Sequence, residues 1–203
     1  MKPTLSQYFK GFTILRGVAA GVPFVPPLLS VCLPDSNTFV EYLYPPVGDF
    51  QRLGVAATVG FLLLTTVLVF RFCRSIRIIP LRAYVILVVG FVIGVCGLIA
   101  IYVPYVARVE LASVNQEVLV SIGGERTEFA RKAYQQKSDD EMLQIRGPWE
   151  TEIKKLWTLR SIVAVRTLLW LFYTSTLSCF LSVASLAAYQ LAVEEPPGEP
   201  THP

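Results

Sequence analysis

Four stretches of this chain contain no Asp, Glu, Lys, Arg or His: residues 17–33, 54–70, 83–107 and 167–193. A helix needs roughly 20 apolar residues to cross a hydrocarbon core about 30 Å thick, because each residue advances it by about 1.5 Å. The four runs therefore predict four transmembrane helices, and no other feature constrains the fold as much. Composition agrees, since 53% of residues are hydrophobic and mean hydropathy is +0.53, well above an ordinary soluble domain. A disulfide-stapled secreted module, a disordered tail and a nucleic-acid binder with a large basic face are disfavoured. The predicted class is a mostly α, integral membrane protein: four transmembrane helices with a small mixed α/β extramembrane domain between helices 3 and 4.

The first run is interrupted by Pro23, Pro26 and Pro27, each of which removes a backbone donor, so a kinked or broken helix is expected. A secretory signal peptide is the rival reading, because Lys2, Lys10 and Arg16 precede the apolar stretch. The segment Leu29-Ser30-Val31-Cys32 departs from a lipoprotein cleavage box at Val31, where a small residue is wanted.

Orientation follows the Lys and Arg residues near the span ends. The N-terminus has Lys2, Lys10 and Arg16, and the loop between spans two and three has Arg71, Arg74, Arg77 and Arg82 with no acid. The other side has Arg52, Arg108, Lys154, Lys155, Arg160 and Arg166. Seven against six, with the densest cluster in a short loop, puts both termini in the cytoplasm and residues 108–166 outside. The organisation is then a cytoplasmic N-terminus (1–16), a membrane region (17–107), an extracytoplasmic domain (108–166), a fourth span (167–193) and a flexible tail (194–203). Tyr102, Tyr105, Trp170 and Tyr173 suit one membrane interface, Tyr84 and Tyr189 the other.

Within residues 108–166, Val109 and Leu111, then Val118, Val120 and Ile122, alternate with polar neighbours and predict two short strands ended by Gly123-Gly124. Phe129, Ala130, Ala133 and Tyr134 predict a helix with these four on one face. Ser138 with Glu141 forms a capping-box pattern for a further brief element that Gly147 ends. Pro148 suits a first helical position, and Glu150 and Glu152 complement the positive end of the dipole. From there Trp149, Ile153, Leu156, Trp157 and Val163 form an apolar stripe. It predicts one helix that runs without a break into the fourth span and couples the domain to the membrane; an amphipathic helix lying on the interface is the alternative.

Chemistry has little material. The single histidine, His202, lies in the Pro- and Glu-rich tail, and the charge-free spans offer no proton relay. Glu125 with Glu128, and Asp139, Asp140 with Glu141, lack regular cation-ligand spacing and read as caps and solvated faces. The scattered cysteines, Cys32, Cys73, Cys96 and Cys179, form no framework, although Cys73 between Arg71 and Arg74 is placed for acylation or a lowered pKa. No enzyme activity, metal or cofactor is expected.

Two stripes of small residues predict helix packing. Gly90, Gly94 and Gly97 share a face of the third span, and Ser175, Ser178, Ser182 and Ser185 recur at steps of three, four and three on the fourth. A pore lining is the other reading of the serines. The four-span layout with a larger last loop is shared with tetraspanins, but residues 108–166 contain no Cys-Cys-Gly signature, so nothing of that family is carried over. The leading expectation is a non-enzymatic sensor or coupling subunit of the plasma membrane. An oligomeric pore or channel-like effector, of the kind used in bacterial defence, is the alternative. The expected partners are membrane lipid, further copies of the chain, and a cytosolic protein or anionic headgroups at the Arg loop; direct nucleic-acid binding is not expected.

Overall fold

The computed structural model describes residues 46, 51–75, 81–111 and 116–194. Among these residues two long helices, α1 (Gln51–Ser75) and α2 (Leu81–Tyr105), are followed by strands β1 (Val106–Leu111) and β2 (Gln116–Ser121). Three short helices, α3 (Glu128–Ala133), α4 (Asp139–Arg146) and α5 (Glu150–Leu156), lead into α6 (Leu159–Glu194). The protein is mostly helical with a small two-stranded sheet. The expected first span at 17–33, the basic N-terminus, Arg77 and the tail beyond Glu194 lie outside the described residues.

Among the described residues two helices are long and apolar enough to cross a membrane, Leu81–Tyr105 and Leu159–Ala187, whereas Leu53–Val69 of α1 is a shorter apolar run. Hydroxyls inside α1 are satisfied by the helix itself: Thr58, Thr65 and Thr66 donate to the carbonyls of Gly54, Phe61 and Leu62 at 2.8, 2.9 and 2.9 Å. Helix α2 stops earlier than residue 107. Pro104 stands in its last turn, and Val106 already belongs to β1. The carbonyl of Tyr105 is taken up by the Ile122 amide at 2.9 Å, so the helix end passes directly into the sheet.

Strands β1 and β2 pair antiparallel, with Val106 opposite Ser121 and Leu111 opposite Gln116. Ala107 faces Val120, and Val109 faces Val118. This side enters a core with Met142, Leu143, Ile153, Leu156, Trp157 and Ile162. The Ser138–Glu141 capping box forms in both directions, and Gly147 closes α4 at a φ of 86°, a value that favours glycine. Helix α3 differs from expectation in what it buries. Ala130 is enclosed and Tyr134 half-buried, but Phe129 and Ala133 are exposed, and Arg146 lies 5.3 Å above the Phe129 ring.

The predicted unbroken helix from Pro148 into the fourth span does not form. Pro148 precedes the N-cap, which is Trp149, and α5 ends at Leu156. Trp157 is extended (φ −118°, ψ 150°), buried, and bridged to Arg126. The Thr158 amide then donates to the Glu125 carbonyl at 2.9 Å. The reason for the break is tertiary: an extended Trp157 places its indole in the domain core and its backbone beside residues 125–126. Helix α6 restarts at Leu159, and its Ile162 still belongs to the domain core. A single 36-residue helix therefore carries both the last core contact of the domain and one of the two membrane-length stretches found among the described residues.

Candidate functional site

Besides the direct passage of α2 into β1, the domain is joined to the long helices along one stretch of α6. Arg166 is buried, and its guanidinium holds two elements of the domain at once. Nη1 and Nη2 donate to Oε1 and Oε2 of Glu150 in α5 at 2.7 and 2.8 Å, while Nε donates to Ser121 Oγ at the end of β2 at 2.9 Å. Lys154 Nζ also approaches Glu150 Oε1 at 3.3 Å. Paired donors on a carboxylate give the strongest and most directional form of ion pair. Removing one partner would strand a buried charge, at a cost of about 3–5 kcal/mol.

One turn further along, Trp170 Nε1 donates to Thr58 Oγ1 at 2.9 Å and to the Gly54 carbonyl at 3.2 Å, gripping α1. Thr174, a turn beyond, places its hydroxyl 3.5 Å from that of Thr58. Thr58 and Thr174 are both buried, and Tyr173 packs with Val55 beside them. Residues 166, 170 and 174 thus follow one another at helical spacing, the first holding the domain and the next two holding α1.

On its other contact α6 meets α2 through the glycines. A Cβ on Gly94 would collide with Thr176, one on Gly97 with the Phe172 ring, and one on Gly90 would stand 3.2 Å from Cys179 Sγ. Phe91 and Phe180 meet nearby with centroids 6.3 Å apart. The four serines are not equivalent. Ser175 is exposed, Ser178 half-buried, and Ser182 and Ser185 buried. Ser182 Oγ donates to the Ser178 carbonyl at 2.8 Å, while Ser178 Oγ is enclosed with no hydrogen-bond partner.

The other singled-out residues fall elsewhere. Trp149 is exposed, whereas Ile153, Leu156 and Trp157 lie in the domain core; they build the domain instead of lining a path out of it. Arg71 and Arg82 are exposed on α1 and α2, and Arg74 falls in the last turn of α1. Asp139 is not the cap of α4, a place taken by Ser138; it stands in the first turn, where its carboxylate accepts from Arg126 Nε and Nη2 at 2.9 and 2.6 Å. Glu152 is held below the ordinary carboxylate range by its hydrogen bond from Lys155, with the charges of Lys155 and Arg146 acting in the same direction. Arg146 is pushed up chiefly by its hydrogen bond to the Tyr134 hydroxyl.

Where α2 meets the domain, an open cleft of about 430 Å³ is lined by Val103, Pro104, Val106, Ala107, Arg108, Ile122, Asp139 and Asp140. Among the described residues no three His, Cys, Asp or Glu side chains converge as metal ligands. Sequence reasoning missed Arg166 with Glu150 and Ser121, and Trp170 with Thr58. Only the unusual position of an arginine beside an apolar run could have signalled the first. No protein family, curated protein or solved structure matches this chain.

Proposed function

We propose that the protein is a non-enzymatic, multi-span sensor or coupling subunit of the plasma (inner) membrane. Residues 108–166 form its extracytoplasmic domain, and α6 carries the state of that domain into the helices. The observation that supports this most is Arg166, which ties α5 and β2 to α6 one turn before Trp170 ties α6 to α1. Ligand or partner binding that shifts α5 against β2 would have to move or release this arginine. The membrane assignment draws on the two long apolar helices and on the uncovered face of α2, where Ile86 and Val103 are 69% and 75% exposed.

Four spans with both termini in the cytoplasm remain the reading of the charge pattern, with runs 17–33 and 54–70 supplying the other two. In that orientation Arg71, Arg74, Arg77 and Arg82 face the cytosol, where anionic headgroups or an acidic partner protein fit them. Assembly with further copies of the chain is part of the same proposal. The pore alternative draws less support, because Ser182 and Ser185 are buried within one chain.

Hydrogen exchange on the protein in lipid nanodiscs tests the coupling. Arg166→Gln should raise exchange in β2 and α5 and also around Gly54 to Thr58 of α1. Loosening confined to the domain would sink the coupling reading.

A further inference from the structure

The turn between α4 and α5 leaves two large apolar side chains uncovered, Ile145 at 53% and Trp149 at 60% exposed. Arg166 determines where this turn lies. Glu150, the residue after Trp149, is clamped to the Arg166 guanidinium, and Arg166 is the last charged residue before the run 167–193. Helix α5 ends at Leu156 and α6 begins at Leu159, yet the ion pair brings Glu150, the first residue of α5, to Arg166 in the second turn of α6. Glu150 is thereby returned to the level at which α6 becomes continuously uncharged. The Trp149 indole has a neighbour in the turn before it. It lies over Gly147, where a side-chain carbon would stand 2.8 Å from Nε1. Trp149 makes no side-chain cap bond at a position where Ser, Thr, Asp or Asn would satisfy an amide, so capping does not account for it. Lys154 and Arg166 both reach Glu150 beside it.

A large amphipathic ring, set beside cations at the end of an apolar span, suits the boundary between headgroups and acyl chains. We infer that Trp149, together with the exposed Ile145, inserts into the headgroup boundary of the bilayer that α6 crosses and anchors the base of the domain there. This rests on the membrane reading above. It adds a lipid contact made by the domain itself, and it keeps the Glu150–Arg166 pair at the membrane surface.

The test uses the full chain in phosphatidylcholine–phosphatidylglycerol vesicles carrying bromine near the headgroup end of the acyl chains. The chain has three tryptophans, Trp149, Trp157 and Trp170, so the emission lost in Trp149→Phe belongs to Trp149. That component should lose most of its intensity in brominated vesicles and resist aqueous iodide. Trp170, still present in Trp149→Phe, reports independently on the span. Quenching of Trp170 by bromine, with a Trp149 component that responds only to iodide, would overturn the anchor while leaving the membrane reading intact; a protein partner would then be the better occupant of this surface. Absence of bromine quenching at any tryptophan would overturn both.

Discussion

Arg166 and Glu150 face each other through two parallel hydrogen bonds of 2.7 and 2.8 Å, with Arg166 almost wholly enclosed. The pair spans sixteen residues of sequence and closes α5 against α6 across the break at Trp157. Two charges taken out of water gain from each other only while both are present. Arg166→Met and Glu150→Leu should therefore each cost about 3–5 kcal/mol, and the double variant clearly less than their sum. Equilibrium unfolding in mixed micelles checks this, and additive costs would show that the pair is not energetically coupled.

The glycine contact makes a second prediction. Gly94 is buried against Thr176, whereas Val92 on the same helix is 51% exposed. A side chain forced into a close helix crossing typically costs about 1–3 kcal/mol, and leucine is large for this gap. Gly94→Leu should lower thermal stability in detergent and Val92→Leu should leave it unchanged. Equal, unaltered midpoints would mean that the two helices do not meet closely at this face.

Glu152 predicts a pH dependence. Its carboxyl is held below the ordinary range in the folded protein, first by the hydrogen bond from Lys155. A depressed native pKa contributes stability that is fully present above the unfolded pKa and is lost as pH falls through the native one. Thermal unfolding of wild type and Glu152→Gln should differ by a constant amount near neutrality, and the difference should disappear in strong acid. A difference that persists after the carboxylate is protonated would have another origin.

What could be read from the sequence was local. The alternation of Val118, Val120 and Ile122 up to Gly123, and the Ser138–Glu141 box up to Gly147, are patterns within a few residues, and the structure builds the β2 edge and α4 from them. The break at Trp157 is not of that kind. Trp149, Ile153, Leu156 and Trp157 satisfy helical periodicity, and no Gly or Pro stands between Trp149 and Val163. The interruption comes from pairing with Arg126, thirty-one residues earlier. The helix restarts beside Thr158, whose carbonyl accepts the Ile162 amide and whose hydroxyl donates to Ser161 Oγ. Arg166 was counted as a flanking charge because its partners, Glu150 and Ser121, become neighbours only once the domain folds.

Orientation is tested by a single cysteine at Gln136, which is exposed between α3 and α4, in a background lacking the native cysteines. With residues 108–166 outside, an impermeant maleimide should label it in intact cells. Labelling only after lysis would invert the topology and put the Arg71 to Arg82 loop outside.

The serines decide between packing and conduction. If Ser175, Ser178, Ser182 and Ser185 lined water, cysteines at all four should react with small aqueous thiol reagents, while Leu177, Leu181 and Ala184 variants stay protected. In the structure Ser185 is 1% and Ser182 5% exposed, and Leu181 is equally buried at 1%, so burial on α6 does not follow a hydrophilic face. Ser182 is also satisfied by its own helix, through the Ser178 carbonyl. Cysteines at 182 and 185 should therefore be inert, and Ser182→Ala should cost about 1 kcal/mol or less. Ser178, whose enclosed hydroxyl has no partner, should tolerate alanine with no loss, because nothing is given up except a desolvated polar atom. Reagent access along all four serines in a correctly assembled protein would instead require the helices to part around water, and would make the pore the better account of α6.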